Sequence, residues 1–480
     1  MDEGEMRSEQ LFYVDGTWVA PLGTATIDVV DPATEEVIAS IGDGGEEDID
    51  RAVAAALRAG PAFAATAPAE RIALLRAILA GFERRSEDLA QAMTREMGVP
   101  IQAARTVHLP SGPAHLNETI RVLESFAFAR LRGSTMVQYE PIGVAGLITP
   151  WNFPINQVIC KVAPALAAGC TMVLKPSEVS PLSAAILAEI IDEAGVPPGV
   201  FNLINGRGAT AGQRLVVHPD VRMISFTGST RAGVEIARLA ADTVKRVTQE
   251  LGGKSANIIL DDADLDKAVM LGVARCFNNS GQSCVSPTRM LVPAHRHEAA
   301  LDIARAAAQA ARPGPTLDVA TTLGPVANRA QFERVQALIG QGIAEGARLV
   351  TGGTGRPDGI ARGFYVKPTV FGAVTSGMAI AQQEIFGPVL SIMPYTDDDD
   401  AVRIANDTPY GLAAYVQSGD LDRARRIAGR LQAGMVHINY PPVDRGAPFG
   451  GVKQSGNGRE WGEWGVHEYL ELKAVIGHGA

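Results

Sequence analysis

Three residues capable of covalent or acid–base chemistry lie in settings that a packing role alone does not call for. Cys284 ends the run Asn278-Asn279-Ser280-Gly281-Gln282-Ser283-Cys284, a small and polar neighbourhood where backbone N–H groups can approach a bound anion. A thiolate there is a nucleophile, although a cysteine taken alone is more often an inert buried hydrophobe. Glu250 closes a strand-like run and is followed by Leu251-Gly252-Gly253-Lys254-Ser255, so a carboxylate stands beside a flexible turn between two α/β regions, where clefts form. It reads either as a base in such a cleft or as a surface acid capping a turn. Asn152, in Thr149-Pro150-Trp151-Asn152-Phe153-Pro154, is an amide at a strand-to-helix corner between two prolines, either an oxyanion donor or an N-cap. Cys160, Cys170 and Cys276 lie in helical or apolar stretches and read as core.

A second set of residues suits a phosphate-bearing ligand. Gly228-Ser229-Thr230-Arg231-Ala232-Gly233 opens a helix directly after a predicted strand, where free N–H groups and the helix dipole favour anions. Gly206-Arg207-Gly208 fails the Gly-x-Gly-x-x-Gly spacing because residue 211 is Ala. Lys175-Pro176-Ser177-Glu178 follows another predicted strand, and an acid at a strand's carboxyl end can accept hydrogen bonds from ribose hydroxyls.

The elements that must position these residues are legible from periodicity. Short apolar or β-branched runs at 144–148, 171–174, 201–204, 223–226 and 244–248 alternate with longer helical patterns, the rhythm of right-handed crossover units building a parallel sheet. A second alternating region spans about 255–434, with strands expected at 256–260, 289–292 and 389–394 and helices at 299–311 and 329–345. Residues 1–45 read as a peripheral β arm, residues 46–97 as two amphipathic helices, and the tail 469–476 as a strand suited to pairing with another subunit.

Composition bounds the rest. A chain of 480 residues, 46% hydrophobic and 20% charged, is a folded protein of about three domains or two large ones. Its net charge of −10 argues against nucleic acid or anionic membrane as a partner. The excess of Arg over Lys reads as the composition bias of a bacterial genome. Residues 1–6 carry acids and no basic, apolar leader, so the expected location is the cytoplasm. The uncharged run 141–160 contains three prolines and is rejected as a membrane span. With no Cys-x-x-Cys and no His-Glu-x-x-His, neither a disulfide framework nor a metal site is indicated.

Taken together, seven motifs resemble the aldehyde dehydrogenase superfamily in order and approximate spacing over essentially the whole chain. They are Trp151-Asn152-Phe153-Pro154, Lys175-Pro176-Ser177-Glu178, Phe226-Thr227-Gly228-Ser229, Glu250-Leu251-Gly252-Gly253-Lys254, Gly281-Gln282-Ser283-Cys284, Glu384-Ile385-Phe386-Gly387-Pro388 and Pro448-Phe449-Gly450-Gly451. The resemblance implies an α/β fold: a Rossmann-type cofactor domain at 1–122 and 142–252, an α/β catalytic domain at 253–454, and a β oligomerisation flap at 123–141 with 468–478. It implies oxidation of an aldehyde to a carboxylic acid with NAD(P), in which Cys284 forms a thiohemiacetal and then a thioester, Asn152 stabilises the oxyanion and Glu250 activates water. Cofactor contacts implied in the same way are Lys175 and Glu178 at the adenosine ribose, Trp151 and Ser229 at the pyrophosphate, Glu384 at the nicotinamide ribose with Phe386 packing nearby, and Ile148, Leu251, Gly228 and Gly233 as further cofactor-binding residues, the two glycines fitting close backbone approach. Glu178 favours NAD, with NADP tolerated through Lys175. A homodimer or homotetramer is expected. Lys161 and Glu460 match positions sometimes given a proton-relay role, and a buried structural ion pair is the other reading.

Two alternatives remain from the sequence: a coenzyme A-acylating semialdehyde dehydrogenase, against which Glu250 weighs, and a binding or structural protein that kept the fold and lost the chemistry. Positions matching the family's aldehyde tunnel are Asn156, Gln157, Cys160, Asn278 and Val443 beside Phe153 and Phe449, so the tunnel is expected to be wide and polar. Arg105 and Arg445 are candidates for holding a substrate carboxylate.

Overall fold

A computed structural model describes residues 10–479, so the acidic stretch 1–6 read above for a targeting signal lies outside the described residues. Two large sheets carry the architecture. The first has eight strands in the order Gly456–Asn457, Arg246–Glu250, Val221–Thr227, Val144–Ile148, Thr171–Lys175, Phe201–Leu203, Phe12–Val14 and Thr17–Val19. Its five central strands are parallel and both edges are antiparallel. Val144–Ile148 is buried at all five positions, as expected of a strand covered on both faces. The chain leaves it towards one side and later returns to pair Val221–Thr227 on the other. Strand order therefore reverses between these two, and their carboxyl ends open the crevice where α/β sheets bind ligands.

The second sheet has seven strands in the order Arg348–Thr351, Thr369–Gly372, Val389–Tyr395, Arg289–Pro293, Ala256–Ile259, Ala413–Gln417 and Met435–Ile438, all parallel except the first pair. Leu470–Val475, Thr135–Pro141 and Ala129–Arg132 form a separate antiparallel sheet. This α/β architecture matches the fold class implied by the motifs. No helix among the described residues is long and apolar enough to cross a membrane.

Three local expectations are corrected. Residues 12–19 are not a peripheral arm: Phe12 and Tyr13 are 0% and 2% exposed, and their strand pairs with Phe201–Leu203, extending the first sheet. Residues 46–97 form three helices, Glu46–Ala64, Pro68–Arg84 and Ser86–Met97. Apolar spacing continues through Arg85, but its φ of −99° and ψ of 14° leave the helical region and split the run in two. The strand expected at 244–248 begins at Arg246, since Val244 has φ 52° and is 92% exposed. Glu250 is therefore the last residue of the strand itself.

Candidate active site

The helix Leu265–Phe277 ends in a sharp reversal, with Asn279, Ser280 and Gly281 at φ 53°, 55° and 74°. Such backbone is costly for the first two residues and persists only where the surroundings fix it. They do so here. Ser280 Oγ donates to the Gly324 carbonyl at 2.8 Å, and a β-carbon on Gly281 would lie 2.0 Å from the Gly387 carbonyl oxygen. Gln282, fully buried, donates to the Asn279 carbonyl at 3.1 Å and accepts from the Ala327 N–H at 2.8 Å. This reversal presents Cys284 at the surface of a cleft. Cys160, Cys170 and Cys276 are buried, and Cys284 alone is half-buried.

Asn152 reaches the same place from the other sheet. It follows Val144–Ile148 at the strand-order reversal, and the helix Pro154–Ala168 begins just beyond it with Phe153, not Asn152, at the N-cap. Its Nδ2 donates to the Gln282 carbonyl at 3.1 Å, and Asn279 Nδ2 donates to the Asn152 carbonyl at 2.7 Å. Asn152 Oδ1 is buried with no partner. The amide is thus fixed beside the Cys284 loop by bonds crossing between the two sheets.

Glu250 is 3% exposed and neither carboxylate oxygen has a hydrogen-bond partner, so it is no surface turn cap. A β-carbon on Gly450 would lie 2.7 Å from its Oε1. Burial raises its pKa well above the usual carboxylate range and Glu460 adds to this, with Lys161 and Arg459 opposing. Lys161 and Glu460 form a buried ion pair, Lys161 also donating to Ser225 Oγ at 3.0 Å. The Cys284 thiol is pushed up by burial and then by the carboxylates of Glu384 and Glu250, so a base must take its proton at neutral pH. Both groups stand in the kind of environment that marks functional sites.

Cys284 and Asn152 line a cleft of about 410 Å³ together with Trp151, Gly228, Ser229, Leu251, Glu384 and Phe386. Trp151 and Phe386, contributed by opposite sides, meet edge to face at 5.4 Å between centroids. Glu384 accepts from the Gly253 N–H at 2.9 Å, and burial pushes its carboxyl up to about 7. A second cavity of about 270 Å³ has Ile148, Val216, Phe226, Ile236 and Leu239 among its walls and shares Arg231 with the first. Between them stands the N-terminus of the helix Thr230–Ala240, capped by Ser229, whose Oγ accepts from the Ala232 N–H at 3.3 Å. An apolar slot, a helix N-terminus and a carboxylate in sequence fit a dinucleotide, and Thr227 Oγ1, buried and unpartnered, adds a free polar group to the wall.

Three of the expected cofactor residues lie outside these walls. Lys175 Nζ donates to the carbonyls of Pro176 and Gly206, both at 2.8 Å, and pairs with Glu178 at 3.4 Å. Its Cδ stands 3.5 Å behind the β-carbon position of Gly212, which lines the second cavity. Gly233 is buried in its helix, where a β-carbon would lie 2.6 Å from the Leu251 side chain, so it sets how closely the helix packs on the turn after Glu250. Conversely, Gln331, Arg334 and Tyr410 line the cleft unforeseen. Gln331 donates to the Ile385 and Phe386 carbonyls at 3.0 and 2.8 Å, and Arg334 to the Glu384 carbonyl at 2.9 Å. Their i, i+3 spacing on the helix Arg329–Ala344 was the one available signal, and it is indistinguishable from an ordinary solvated face.

Among the tunnel positions, Asn156 Oδ1 bonds His115 Nε2 at 3.0 Å, Gln157 Oε1 is buried and unpartnered, and Cys160 Sγ lies 3.4 Å from Glu460. Phe449 is buried, while Asn278 and Val443 are exposed.

The profile of the aldehyde dehydrogenase family matches residues 18–475. The chain is 52% identical to a 3-succinoylsemialdehyde-pyridine dehydrogenase from a Pseudomonas species, over 98% of this chain and 99% of that one. Among solved structures, it superposes with a TM-score of 0.98 and 52% identity on a mutant of aldehyde dehydrogenase C from Pseudomonas syringae complexed with NAD+ and octanal, covering 99% and 98% of the two chains. A Mycobacterium tuberculosis aldehyde dehydrogenase complexed with NAD+ gives 0.95 and 40% identity, covering 98% of each.

Proposed function

This chain belongs to the aldehyde dehydrogenase family and oxidises aldehydes with NAD as acceptor, and we propose that it does so through the thiol of Cys284, with Asn152 as oxyanion donor and Glu250 as base. The observation that carries this reading is the exposure pattern of the thiols: the one half-buried cysteine lies on the wall of the cleft that also holds Asn152 and Glu384.

Cys284 loses its proton and its sulfur bonds to the aldehyde carbon, turning the carbonyl oxygen into an oxyanion. Asn152 Nδ2 and the Cys284 N–H receive that charge, in a position fixed before the substrate arrives. NAD, when bound, supplies the acceptor for the hydride released as the C–O double bond re-forms, leaving a thioester on Cys284. Glu250 then takes a proton from water as the water oxygen bonds to the thioester carbon, the C–S bond breaks, and the acid departs while the proton held by Glu250 returns to the Cys284 sulfur. Ile148 and Phe226 would hold the adenine end, Lys175 and Glu178 the adenosine ribose, Ser229, Gly228 and Trp151 the pyrophosphate, and Glu384, Phe386 and Leu251 the nicotinamide end. Gly233 acts by letting its helix sit close to Leu251.

The proposed division of labour is 1–122 with 142–252 for the cofactor, 253–454 for catalysis, and 123–141 with 468–478 for joining subunits into a dimer or tetramer. The edge strand Leu470–Val475 supports the last, with Leu472 64% and the adjacent Ile476 84% exposed.

Replacing Cys284 with Ala tests the reading. NADH formation from any aldehyde should vanish while NAD still binds, measured by calorimetry; turnover comparable to the unmodified protein would remove Cys284 as nucleophile.

A further inference from the structure

The two arginines that could read a distant group on the substrate separate clearly. Arg105 is engaged at the surface by Glu87, at 2.6 and 3.0 Å. Arg445 is half-buried and makes no hydrogen bond or ion pair with any described residue. Its guanidinium lies 4.3 Å from the ring centroid of Trp461, a stacking contact that leaves the donors at its rim free. Burial disfavours its charge, and the one group that offsets this is the Cys160 thiol rather than a carboxylate. A cation in such a place has lost part of its water without gaining an acceptor, a deficit that a ligand can fill.

Its surroundings connect it to the reacting centre. Trp461 stacks on Phe449 at 4.4 Å and meets His115 edge-on at 5.3 Å, and His115 bonds Asn156. Arg445 is close enough to His115 to help depress its pKa, which burial takes to about 3, so His115 is a neutral neighbour. Asn156 and Cys160 are one turn apart on the helix Pro154–Ala168, which starts two residues beyond Asn152. At 1.5 Å per residue, Pro154 to Cys160 is about 9 Å of helix leading away from the corner that holds the oxyanion donor. Trp461 Nε1 is buried and unpartnered, as is Gln157 Oε1 on the same helix as Asn156.

We propose that Arg445 is a specificity-determining residue that hydrogen-bonds an oxygen acceptor, a carboxylate or a ketone, at the end of the substrate remote from the aldehyde. This rests on Cys284 being the nucleophile. The preferred substrates are then oxo-aldehydes or semialdehydes rather than simple alkyl aldehydes.

The test is kcat/KM for three aldehydes of matched length ending in a methyl, a methyl ketone or a carboxylate, in the unmodified protein, Arg445→Met and Arg445→Lys. The unmodified protein should favour at least one oxygen-bearing aldehyde over the alkyl one by about tenfold or more, mainly through KM, the size expected of a hydrogen bond to a charged group. Preference for the carboxylate alone identifies an anion, and equal preference for the ketone a neutral acceptor. Arg445→Met, which keeps an apolar stem against Trp461, should bring the ratio close to one, and Arg445→Lys should retain part of any carboxylate preference. No preference in the unmodified protein, or a ratio unchanged in Arg445→Met, overturns the role of Arg445 while leaving aldehyde oxidation intact. Failure of all three aldehydes to yield NADH in the unmodified protein overturns both.

Discussion

Gly253 and Cys284 are packed so closely that a β-carbon on Gly253 would lie 2.3 Å from the Cys284 carbonyl oxygen. The same glycine's N–H holds Glu384 at 2.9 Å, and its neighbour Gly252 lies so close that a β-carbon there would be 2.5 Å from Glu384 Oε2. The turn after Glu250 therefore fixes the backbone of the nucleophile and the carboxylate proposed for the nicotinamide ribose in one place. Gly253→Ala should displace one or the other, because the obstructing atom is backbone and cannot swing aside. A misplacement on the order of 1 Å costs about 10²-fold. We expect kcat/KM to fall by about that factor in a variant whose circular dichroism is unchanged; full activity would mean that this approach does not position Cys284.

Glu250→Gln keeps the shape of the side chain and removes the base. A positioned general base contributes about 10²- to 10⁴-fold, enough to make hydrolysis of the thioester limiting. A burst of NADH followed by a slow steady state should appear in stopped-flow traces. Loss of the burst itself would assign Glu250 to thiol activation as well. Rapid turnover with coenzyme A, yielding an acyl thioester in the unmodified protein, would replace the hydrolytic reading with the acylating one.

Glu460→Gln separates electrostatics from chemistry. The negative charge of Glu460 disfavours ionisation of Glu250, and Lys161 favours it. Removing Glu460 leaves Lys161 unopposed, so both changes allow Glu250 to ionise at lower pH. The acid limb of the kcat profile, which reports the base of the hydrolytic step, should move down by about one unit. Lys161, 0% exposed, would be left without its carboxylate, a loss of about 3–5 kcal/mol seen as a lower Tm. An acid limb that stays in place or moves up would break the link between Glu460 and the base.

Glu178→Gln addresses cofactor choice. The carboxylate, half-exposed beside Lys175, would accept hydrogen bonds from both ribose hydroxyls and repel a 2′-phosphate. The ratio of kcat/KM for NAD over NADP should fall by about tenfold in the variant, equivalent to about 1.4 kcal/mol. An unmodified protein with the higher kcat/KM for NADP would show that Glu178 does not select the cofactor.

Local sequence determined a good deal of this protein. The parallel sheet was readable because each strand from Val144–Ile148 to Val221–Thr227 is a short apolar run followed by turn formers, a pattern that holds within a few residues. Cys284 and Asn152 stood out because their immediate neighbours, small and polar in one case and paired prolines in the other, are unusual for a core. The limits fell where a local signal continued across a break in geometry. Apolar spacing runs on through Arg85 although the backbone turns there, and Val244 has strand chemistry but a left-handed φ.

Only the tertiary structure decided what the candidate groups can do. Burial and electric field are sums over atoms from distant parts of the chain, so no window around Glu250 could disclose that Glu460 and Lys161 stand beside it. For the same reason Gln331 and Arg334, ordinary on a helix surface, became walls of the cleft only when their helix met the segment around Glu384. Arg105 and Arg445 were equivalent as letters. Folding gave one a carboxylate and the other a tryptophan face, and that difference in partners, set by packing between remote segments, is what leaves Arg445 free to bind.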